Sequence, residues 1–289
     1  VPRGVGNAYQ SLAPGTSYSY LTNSHWSPDA HYTALTPADE TLGIDWPIPL
    51  RDAVIAPQAL AHPRLSEVVP VAPRRTLVLG ADGQVGRALR ERWGDTGKVE
   101  FASRGDVDLS DPDLENARPW AEYDTVVNAA GYTAADSAET DAGRRTAWEV
   151  NVRGVQRLAA IATTHDLTLI HFSSEYVFDG EENAEYSEDH PVAPLNVYGQ
   201  TKAAGDAVVA TTPRHYIVRT TWVVGDGRNF VRTMLDLAAR GIDPAVVDDQ
   251  RGRLTFADTL ARAVDHLLDE EPAYGVYNLT NEGAPMSWA

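Results

Sequence analysis

From Arg75 onwards, short apolar runs alternate with stretches whose apolar residues recur at helical spacing. The apolar runs predict buried strands, and the periodic stretches predict helices between them. The predicted strands are Thr76–Leu79, Val99–Ala102, Thr125–Asn128, Leu167–Phe172, Tyr216–Val218 and Val276–Asn278. The predicted helices begin at Arg87 and cover Ala147–Thr164, Tyr198–Ala210, Asn229–Arg240 and Asp258–Leu268. This alternation predicts an α/β fold, a Rossmann-like doubly wound parallel sheet that binds ligands at the carboxyl ends of its strands.

The first 62 residues carry a different pattern. Polar and apolar residues alternate over Ser17–Thr22 and in parts of His31–Leu35, and Gly, Pro, Asn and Asp separate these runs. Such a pattern predicts short antiparallel strands. Residues 63–74 contain several prolines and have no clear period, which predicts a linker. We therefore expect a β-rich segment over residues 1–62 and the Rossmann-like domain over residues 75–289.

Composition limits the classes of partner. The net charge is −17, from 41 acidic and 24 basic residues, which argues against binding to nucleic acid or to anionic membranes. The chain has no cysteine, which excludes disulfides and thiolate chemistry. No apolar run is long enough to span a membrane and no signal peptide is visible, so we expect a cytoplasmic location. The chain starts at Val1 and stops at Ala289 where a helix begins, so we expect a piece of a longer polypeptide.

Three glycines at a spacing of three join the first predicted strand to the first helix. Gly80 permits a tight turn, Gly83 lets the backbone approach a pyrophosphate, and Gly86 lets helix and strand pack closely. The start of the helix then presents N–H groups to the phosphates. Three glycines also fit an ordinary turn, but the strand before them and the helix after them favour a dinucleotide site. We expect Asp82, Gln84 and Val85 to contribute to this site.

The residues after the second strand bear on the choice of cofactor. Ser103 and Arg104 stand where a protein that binds NAD would place an acidic residue. Because a guanidinium suits a 2′-phosphate, we expect NADPH to be preferred and leave NADH open; a solvated surface arginine is the alternative. The further expected cofactor contacts are Asp108, Leu109, Ala129, Ala130, Tyr132, Tyr198 and Lys202.

Tyr198 and Lys202 are the candidate catalytic pair. Residues four apart on a helix share one face, and a nearby ammonium would favour the phenolate and make the phenol a better acid. Ser174, near the carboxyl end of a predicted strand, can bond the same substrate oxygen. The Tyr-x-x-x-Lys pattern is common by chance, but the serine strand and the glycine turn that precede it favour the catalytic interpretation.

Six motifs, taken in order, are similar to the dTDP-4-dehydrorhamnose reductases of the extended short-chain dehydrogenase/reductase superfamily. The similar stretches run from about Arg75 to the end of the chain. They are Gly80–Gly86, Asn128–Glu139, Ser173–Gly180, Val197–Lys202, Arg219–Trp222 and Asp249–Arg253.

The resemblance implies NADPH-dependent reduction of the C4 ketone of a nucleotide sugar, dTDP-4-dehydro-L-rhamnose, to dTDP-L-rhamnose. It implies that Tyr198 is the acid, that Lys202 tunes it and that Ser174 polarises the carbonyl. The substrate contacts it implies are Thr133, Ala134, Ser174, Glu175, Tyr176, Trp222, Asn229 and Arg253.

Three positions depart from the family pattern. Glu175 stands where the family usually has Asp, and Leu254 stands where it usually has Pro. Ala88 stands where some members carry a glutamate used in a magnesium-bridged dimer. That departure leaves Mg²⁺ binding and a homo-oligomer open, and we predict no other metal site.

The N-terminal segment resembles the later part of another family. Val1–Gln10, His25–Pro28 and Leu42–Pro47 are similar to dTDP-4-dehydrorhamnose 3,5-epimerases, which are cupin jelly rolls. The resemblance implies a partial cupin, as in fused epimerase–reductase chains. The catalytic histidine of that family falls before Val1, and Ala59 stands near the expected carboxylate, so we expect no epimerase activity. An unrelated β-rich extension is the alternative.

Two other functions stay open for the Rossmann-like domain. A regulatory subunit of methionine adenosyltransferase has this fold and binds NADP without catalysis. Extended short-chain epimerases and dehydratases act on nucleotide sugars, but they hold NAD tightly, and an acidic residue would then be expected at Ser103. Ser174, Tyr198, Lys202 and Trp222 together favour the reductase.

Overall fold

The computed structural model describes residues 5–20, 33–69, 74–182 and 184–288. The chain divides into two compact units, Val1–Pro73 and Arg74–Ala289. Among the described residues, no helix has both the length and the apolar character needed to cross a membrane.

The N-terminal unit is built from short helical turns. It contains 3-10 turns at Glu40–Leu42, Leu50–Asp52 and Leu65–Glu67, and one short helix, α1 (Pro57–Leu60). Asp39 is buried, and its carboxylate accepts the N–H groups of Leu65 at 2.7 Å and Thr41 at 2.9 Å. These bonds, with that of Leu65 the largest cause, lower the pKa of Asp39. The start of the predicted linker is therefore attached to this unit.

The strands predicted for this segment are not formed in the part of it that the structure describes. Residues 5–20 and 33–69 contain no strand, so the prediction is wrong there, and these residues do not form a jelly roll. Residues 21–32 lie outside the described residues. The physical reason is that alternation needs a partner strand, while the prolines at positions 37, 47, 49, 57 and 63 each remove a backbone donor.

The C-terminal unit contains a parallel six-stranded sheet. Its strands and the short ones beside it are β1 (Arg75–Leu79), β2 (Val99–Ala102), β3 (Tyr123–Asn128), β4 (Thr168–Ser174), β5 (His215–Thr220), β6 (Val223–Val224), β7 (Arg251–Gly252), β8 (Thr255–Phe256), β9 (Gly275–Asn278) and β10 (Met286–Ser287). The order across the main sheet is β2-β1-β3-β4-β5-β9, while β6 pairs with β8 and β7 with β10. The chain runs outward from β1 in both directions, as in doubly wound sheets.

Helices follow most of the sheet strands. They are α2 (Gln84–Trp93), α3 (Ala135–Ala138), α4 (Asp141–Trp148), α5 (Val155–Thr164), α6 (Val197–Val209), α7 (Phe230–Ala239) and α8 (Ala257–Glu270). A π-helical turn, Glu149–Gly154, joins α4 to α5. This turn interrupts the continuous helix predicted over Ala147–Thr164. A Cβ on Gly154 would clash with the carbonyl oxygen of Leu109, so glycine lets the turn lie against that backbone.

The core lies on both faces of the sheet. Leu77 and Leu169 belong to a buried cluster with Leu158 of α5. Val78 and Ile170, the next residues along the same strands, belong to a second cluster with Leu260 of α8. Successive side chains of a strand point to opposite faces, so helices must cover both. The prediction of a Rossmann-like doubly wound parallel sheet is confirmed.

Candidate active site

The glycine turn between β1 and α2 leaves no room for side chains. Gly80 has a φ of 75°, and a Cβ there would lie 2.7 Å from the backbone nitrogen of Ala130. A Cβ on Gly86 would clash with the carbonyl oxygen of Gly80. The N-cap of α2 is Gly83, which supplies no capping side chain, so N–H groups of the first turn stay available to an anion. These features fit the pyrophosphate of a dinucleotide.

The Gln84 side chain links this turn to the start of α7. Its Oε1 accepts the Gly225 N–H at 2.8 Å and a hydrogen bond from Asn229 Nδ2 at 3.2 Å. Asn229 Nδ2 also donates to the carbonyl oxygens of Gly225 and Gly227. Asn229 Oδ1 accepts the Arg232 N–H at 3.0 Å, as the N-cap of α7. Asn229 thus has a structural role where we expected a substrate contact.

The polar residues at the end of β2 are paired with one another. Asp106 accepts hydrogen bonds from the Ser103 hydroxyl at 2.6 Å and the Ser103 N–H at 2.9 Å, and these bonds lower the pKa of Asp106. Arg104 Nε donates to Asp108 at 3.0 Å, although the Arg104 side chain is 76% exposed. Leu109 is 3% exposed and its side chain belongs to the core, so only its backbone is left to meet a cofactor.

The segment after β3 is held by a residue that the sequence analysis missed. Asn151, buried on the π-helical turn, accepts the Tyr132 N–H at 2.8 Å and donates to the Tyr132 carbonyl at 3.0 Å. Its Nδ2 also donates to Thr201 Oγ1 on α6 at 3.0 Å. Thr133 and Ala134 follow and are exposed at the carboxyl edge of the sheet. The signal in the sequence that could have found Asn151 is an asparagine between two valines, Val150 and Val152.

Ser174 and Tyr198 meet at the carboxyl end of β4. Ser174 is the last residue of that strand and is 6% exposed. Its hydroxyl donates to Glu175 Oε2 at 2.6 Å and lies close enough to the Tyr198 phenol to act against the rise of its pKa. The Tyr198 ring packs edge-on against Tyr176, with ring centroids 5.6 Å apart. The site therefore offers a hydroxyl and a phenol to one oxygen of a ligand.

Lys202 is buried one helical turn after Tyr198. Its Nζ donates to the Phe172 carbonyl at 2.7 Å and lies 3.3 Å from Nε2 of His171. Burial lowers the pKa of Lys202 to about 8. The pKa of Tyr198 is raised, first by burial and then by the charge of Glu175. This differs from our expectation that Lys202 would make Tyr198 more acidic, because Nζ is bonded to atoms of β4.

A buried ion pair lies behind Lys202 and was not predicted. Arg219 Nε donates to Asp206 Oδ2 at 3.0 Å, and the two side chains are 8% and 5% exposed. Arg219 also donates to the Glu188 carbonyl at 3.2 Å and lies over the ring of Phe178 at 5.3 Å. The pair therefore anchors the loop before α6 to β5, and the charge of Asp206 raises the pKa of Lys202 against the effect of burial.

Trp222 and Arg253 contact the short strands beside the main sheet. Trp222 has a φ of 43°, and its ring stacks on Trp288 with centroids 3.5 Å apart. A Cβ on Gly252 would lie 2.6 Å from the Trp222 ring. Arg253 donates to the Gly283 carbonyl at 2.8 Å and to Glu185 at 2.7 Å. These two expected substrate contacts are therefore held by the protein itself.

A metal site does not emerge from the described ranges. Within residues 5–20, 33–69, 74–182 and 184–288, no group of three or more His, Asp or Glu side chains is arranged to hold a metal ion.

Comparison with known proteins matches this geometry to a family. The family described as "RmlD substrate binding domain" matches residues 74–289. A dTDP-4-dehydrorhamnose reductase of Aggregatibacter actinomycetemcomitans is 36% identical over 74% of this chain and 75% of its own length. A Streptomyces antibioticus protein, named as a probable dTDP-4,6-dihydroxy-2-methyloxan-3-one 4-ketoreductase, is 38% identical over 73% of this chain and 72% of its own.

A solved structure agrees with the fold. The dTDP-4-dehydrorhamnose reductase of Bacillus anthracis, crystallised in complex with NADP, superposes with a TM-score of 0.67 and is 29% identical. The match covers 76% of this chain and 79% of that one. From its β1 strand to its last residues, this chain belongs to the RmlD family, in which the relatives it matches include dTDP-4-dehydrorhamnose reductases.

Proposed function

We propose that this chain catalyses the NADPH-dependent reduction of the C4 ketone of dTDP-4-dehydro-L-rhamnose to dTDP-L-rhamnose. The observation that carries the proposal is the meeting of Ser174, Tyr198 and Lys202 at the carboxyl ends of parallel strands. The name of the Aggregatibacter relative supports the choice of sugar. The proposed reaction uses two cytoplasmic metabolites, so the proposal includes a cytoplasmic location.

The glycine turn and the ends of β2 and β3 have the features that NADPH requires. The uncapped first turn of α2 fits the pyrophosphate. In the proposal Ser103 and Arg104 hold the 2′-phosphate, since the exposed Arg104 side chain can exchange Asp108 for a phosphate. The backbone at Ala129 and Ala130 lies so close to Gly80 that no side chain fits between them. When bound, NADPH supplies the hydride that reaches C4.

Tyr198 holds the proton that the reaction needs. Reduction of a ketone leaves negative charge on its oxygen, and a positioned acid must neutralise that charge. Because burial raises the pKa of Tyr198, the phenol keeps its proton at neutral pH and meets the alkoxide as a donor. In the proposed reaction the Ser174 hydroxyl, which donates to Glu175 in the free protein, donates to the same oxygen and so stabilises the charge as it develops.

Lys202 acts on Tyr198 from the same helix face. Below about pH 8 it carries a positive charge. In the structure Lys202 is not among the causes that set the pKa of Tyr198, so in the proposed reaction this charge acts only on the phenolate that remains after proton transfer. The bond of Lys202 to the Phe172 carbonyl fixes Nζ against β4.

A direct assay tests the proposal. NADPH oxidation is followed with dTDP-4-dehydro-L-rhamnose and with a second dTDP-linked 4-keto sugar, because the Streptomyces relative is named for a different 4-ketoreduction. We expect turnover with the rhamnose precursor and formation of dTDP-L-rhamnose. Tight NADP binding with no turnover of either sugar would favour the non-catalytic alternative.

A further inference from the structure

Three oxygens in a row connect Glu175 to the phenol of Tyr198. Glu175 Oε2 lies 2.6 Å from the Ser174 hydroxyl, and the same hydroxyl lies close enough to the Tyr198 phenol to act on its pKa. Ser174 is 6% exposed, so bulk water has little access to the middle of the row. Glu175 itself is half-buried, so this end of the row keeps partial access to solvent.

The surroundings of Glu175 favour its neutral form. Burial is the largest cause, and it raises the pKa of this carboxyl to about 7. Among the residues that the structure describes, no Lys or Arg pairs with Glu175. The groups that face it are Ser174, Tyr176, Tyr198 and Thr221. A partly buried carboxyl with uncharged neighbours keeps its proton more readily than a fully exposed one.

The charge of Glu175 also acts on Tyr198. As a carboxylate, Glu175 raises the pKa of Tyr198 and opposes loss of the phenolic proton. As a neutral acid, it removes this opposition and still bonds the Ser174 hydroxyl. Protonation of Glu175 therefore makes the Tyr198 phenol more acidic and also places a proton next to the Ser174 hydroxyl.

We propose that Glu175 is a positioning residue that enters each turnover protonated and replaces, through Ser174, the proton that Tyr198 gives away. This inference rests on the proposed reduction. The Tyr198 O–H bond breaks and its proton goes to the sugar oxygen. The Ser174 proton then moves to the phenolate oxygen, and the Glu175 proton moves to the Ser174 oxygen. Glu175 is left as a carboxylate, and it regains a proton from water before the next turnover.

The first test does not depend on activity. Infrared spectra of the protein without substrate are recorded from pH 5.5 to 8.5, in wild type, Glu175→Gln and Glu175→Asp. We expect a carboxylic acid C=O band in wild type that disappears around neutral pH and is absent from Glu175→Gln. Subtracting the Glu175→Gln spectra removes the contribution of Asp206, which is also buried. A Glu175 band that is already lost at pH 5.5 would overturn the proposal.

The second test uses the pH profile of kcat. In wild type kcat should fall as pH rises through about 7, the pKa of Glu175. Glu175→Gln keeps a neutral hydrogen-bonding side chain but has no proton to give, so its kcat at pH 6 should be about tenfold lower and flat through neutral pH. Glu175→Asp should keep the fall with pH. An unchanged profile in Glu175→Gln would overturn the proposal, since a purely structural role would lower kcat without moving its pH dependence.

The two tests separate this inference from the proposed function. If wild type reduces no 4-keto sugar, the proposed function fails, and the infrared band alone decides whether Glu175 is neutral. A band that is present at pH 5.5 and disappears around neutral pH then supports the protonated carboxyl, and a band already lost at pH 5.5 overturns it.

Discussion

Nδ2 of Asn128 lies 3.0 Å from Nδ1 of His171 inside the sheet, and this contact fixes which ring nitrogen carries the proton. Asn128 Oδ1 accepts the Ala130 N–H at 3.2 Å, so Nδ2 is the atom that donates to the ring. Nδ1 must then accept, and Nε2 carries the hydrogen. Nε2 lies 3.3 Å from Lys202 Nζ. The Nε2–H group therefore faces Nζ as a donor and cannot accept a hydrogen bond from the ammonium. This arrangement favours the neutral amine of Lys202, in agreement with its lowered pKa.

The first prediction reverses this donor arrangement. In Asn128→Asp the carboxylate accepts from Nδ1, so Nε2 becomes an acceptor toward Lys202 and the ammonium is stabilised. The pKa of Lys202 should rise from about 8 toward its ordinary value. The chain contains two lysines, Lys98 and Lys202, so NMR of lysine-labelled protein follows each of them, and Lys98→Arg assigns the signals.

A control for this prediction separates the added charge from the ring. The double variant Asn128→Asp/His171→Phe keeps the new carboxylate and removes the imidazole. If the double variant shows the full shift in the pKa of Lys202, the charge alone is responsible and the donor arrangement has no part in it. Circular dichroism checks that both variants keep the fold.

The second prediction concerns the proposed acid. Tyr198→Phe removes one hydroxyl and keeps the ring that packs on Tyr176. Turnover should fall by roughly 10²–10⁴, the usual contribution of general acid catalysis, while the affinity for NADPH changes little. Turnover should also fall in Lys202→Ala. It should fall less in Ser174→Ala, because the acid, Tyr198, remains. Stopped-flow NADPH oxidation and fluorescence titration measure the two quantities, and near-wild-type turnover in Tyr198→Phe would rule out this residue as the acid.

The sequence predicted the elements whose signals are local. The apolar run before Gly80 and the periodic residues after it are close together in the sequence. The six predicted strands fall in the observed sheet, with ends shifted by up to two residues. Ser174, Tyr198 and Lys202 were found in the same way, since strand ends and helix faces follow from pattern. The N-terminal strands failed because pairing depends on a distant partner, which alternation does not specify.

The residues that were missed have partners far away along the chain. His171 and Asn128 are 43 residues apart in the sequence, and Asn151 and Thr201 are 50 residues apart. No local sequence pattern predicts either contact. Asn229 shows the reverse case, because it was expected to contact substrate but its side chain caps α7 and bonds Gln84. The residue type at a position therefore does not by itself show which atoms its side chain contacts.

The third prediction concerns the choice of cofactor. A charge-assisted pair between Arg104 and a 2′-phosphate is worth roughly 1.5–3 kcal/mol, but Arg104 is exposed and pairs with Asp108, which reduces the gain. We expect NADPH to be preferred over NADH, with the ratio of kcat/KM falling about tenfold in Arg104→Ala. Arg104→Lys keeps the charge but lacks the planar guanidinium, so its ratio of kcat/KM should lie between those of wild type and Arg104→Ala. Equal use of both cofactors by wild type would contradict this prediction.

The fourth prediction concerns residues 1–62, for which we expect no epimerase activity. Epimerisation beside a ketone needs a positioned base, while the epimerase family's catalytic histidine falls before Val1 and Ala59 stands near the expected carboxylate. The full chain carrying Tyr198→Phe, with the sugar in deuterated water, should show no enzyme-dependent exchange at C3 and C5. Mass spectrometry of the recovered sugar measures the exchange. Deuterium uptake above the rate without protein would show a base that the described residues do not reveal.

The last prediction compares two ion pairs of equal length. Asp206–Arg219 and Asp226–Arg232 both have a nitrogen–oxygen distance of 3.0 Å, but the first is buried and the second is more than half exposed. Asp206→Asn leaves the Arg219 charge in the interior without its partner, which costs about 3–5 kcal/mol of unfolding free energy. Asp226→Asn removes a pair that water already screens and should cost about 0–1 kcal/mol.

Asp206→Asn also removes the anion that supports the charge on Lys202. The pKa of Lys202 should therefore fall below about 8 in this variant, in the direction opposite to Asn128→Asp, and stay unchanged in Asp226→Asn. Urea unfolding gives the two stabilities, and the same lysine NMR titration gives the pKa values. Equal losses of stability in the two variants would mean that the Arg219 guanidinium finds other partners, such as the Glu188 carbonyl to which it already donates. The pKa of Lys202 should still fall in that case, because its cause is the lost charge of Asp206 and not the position of Arg219.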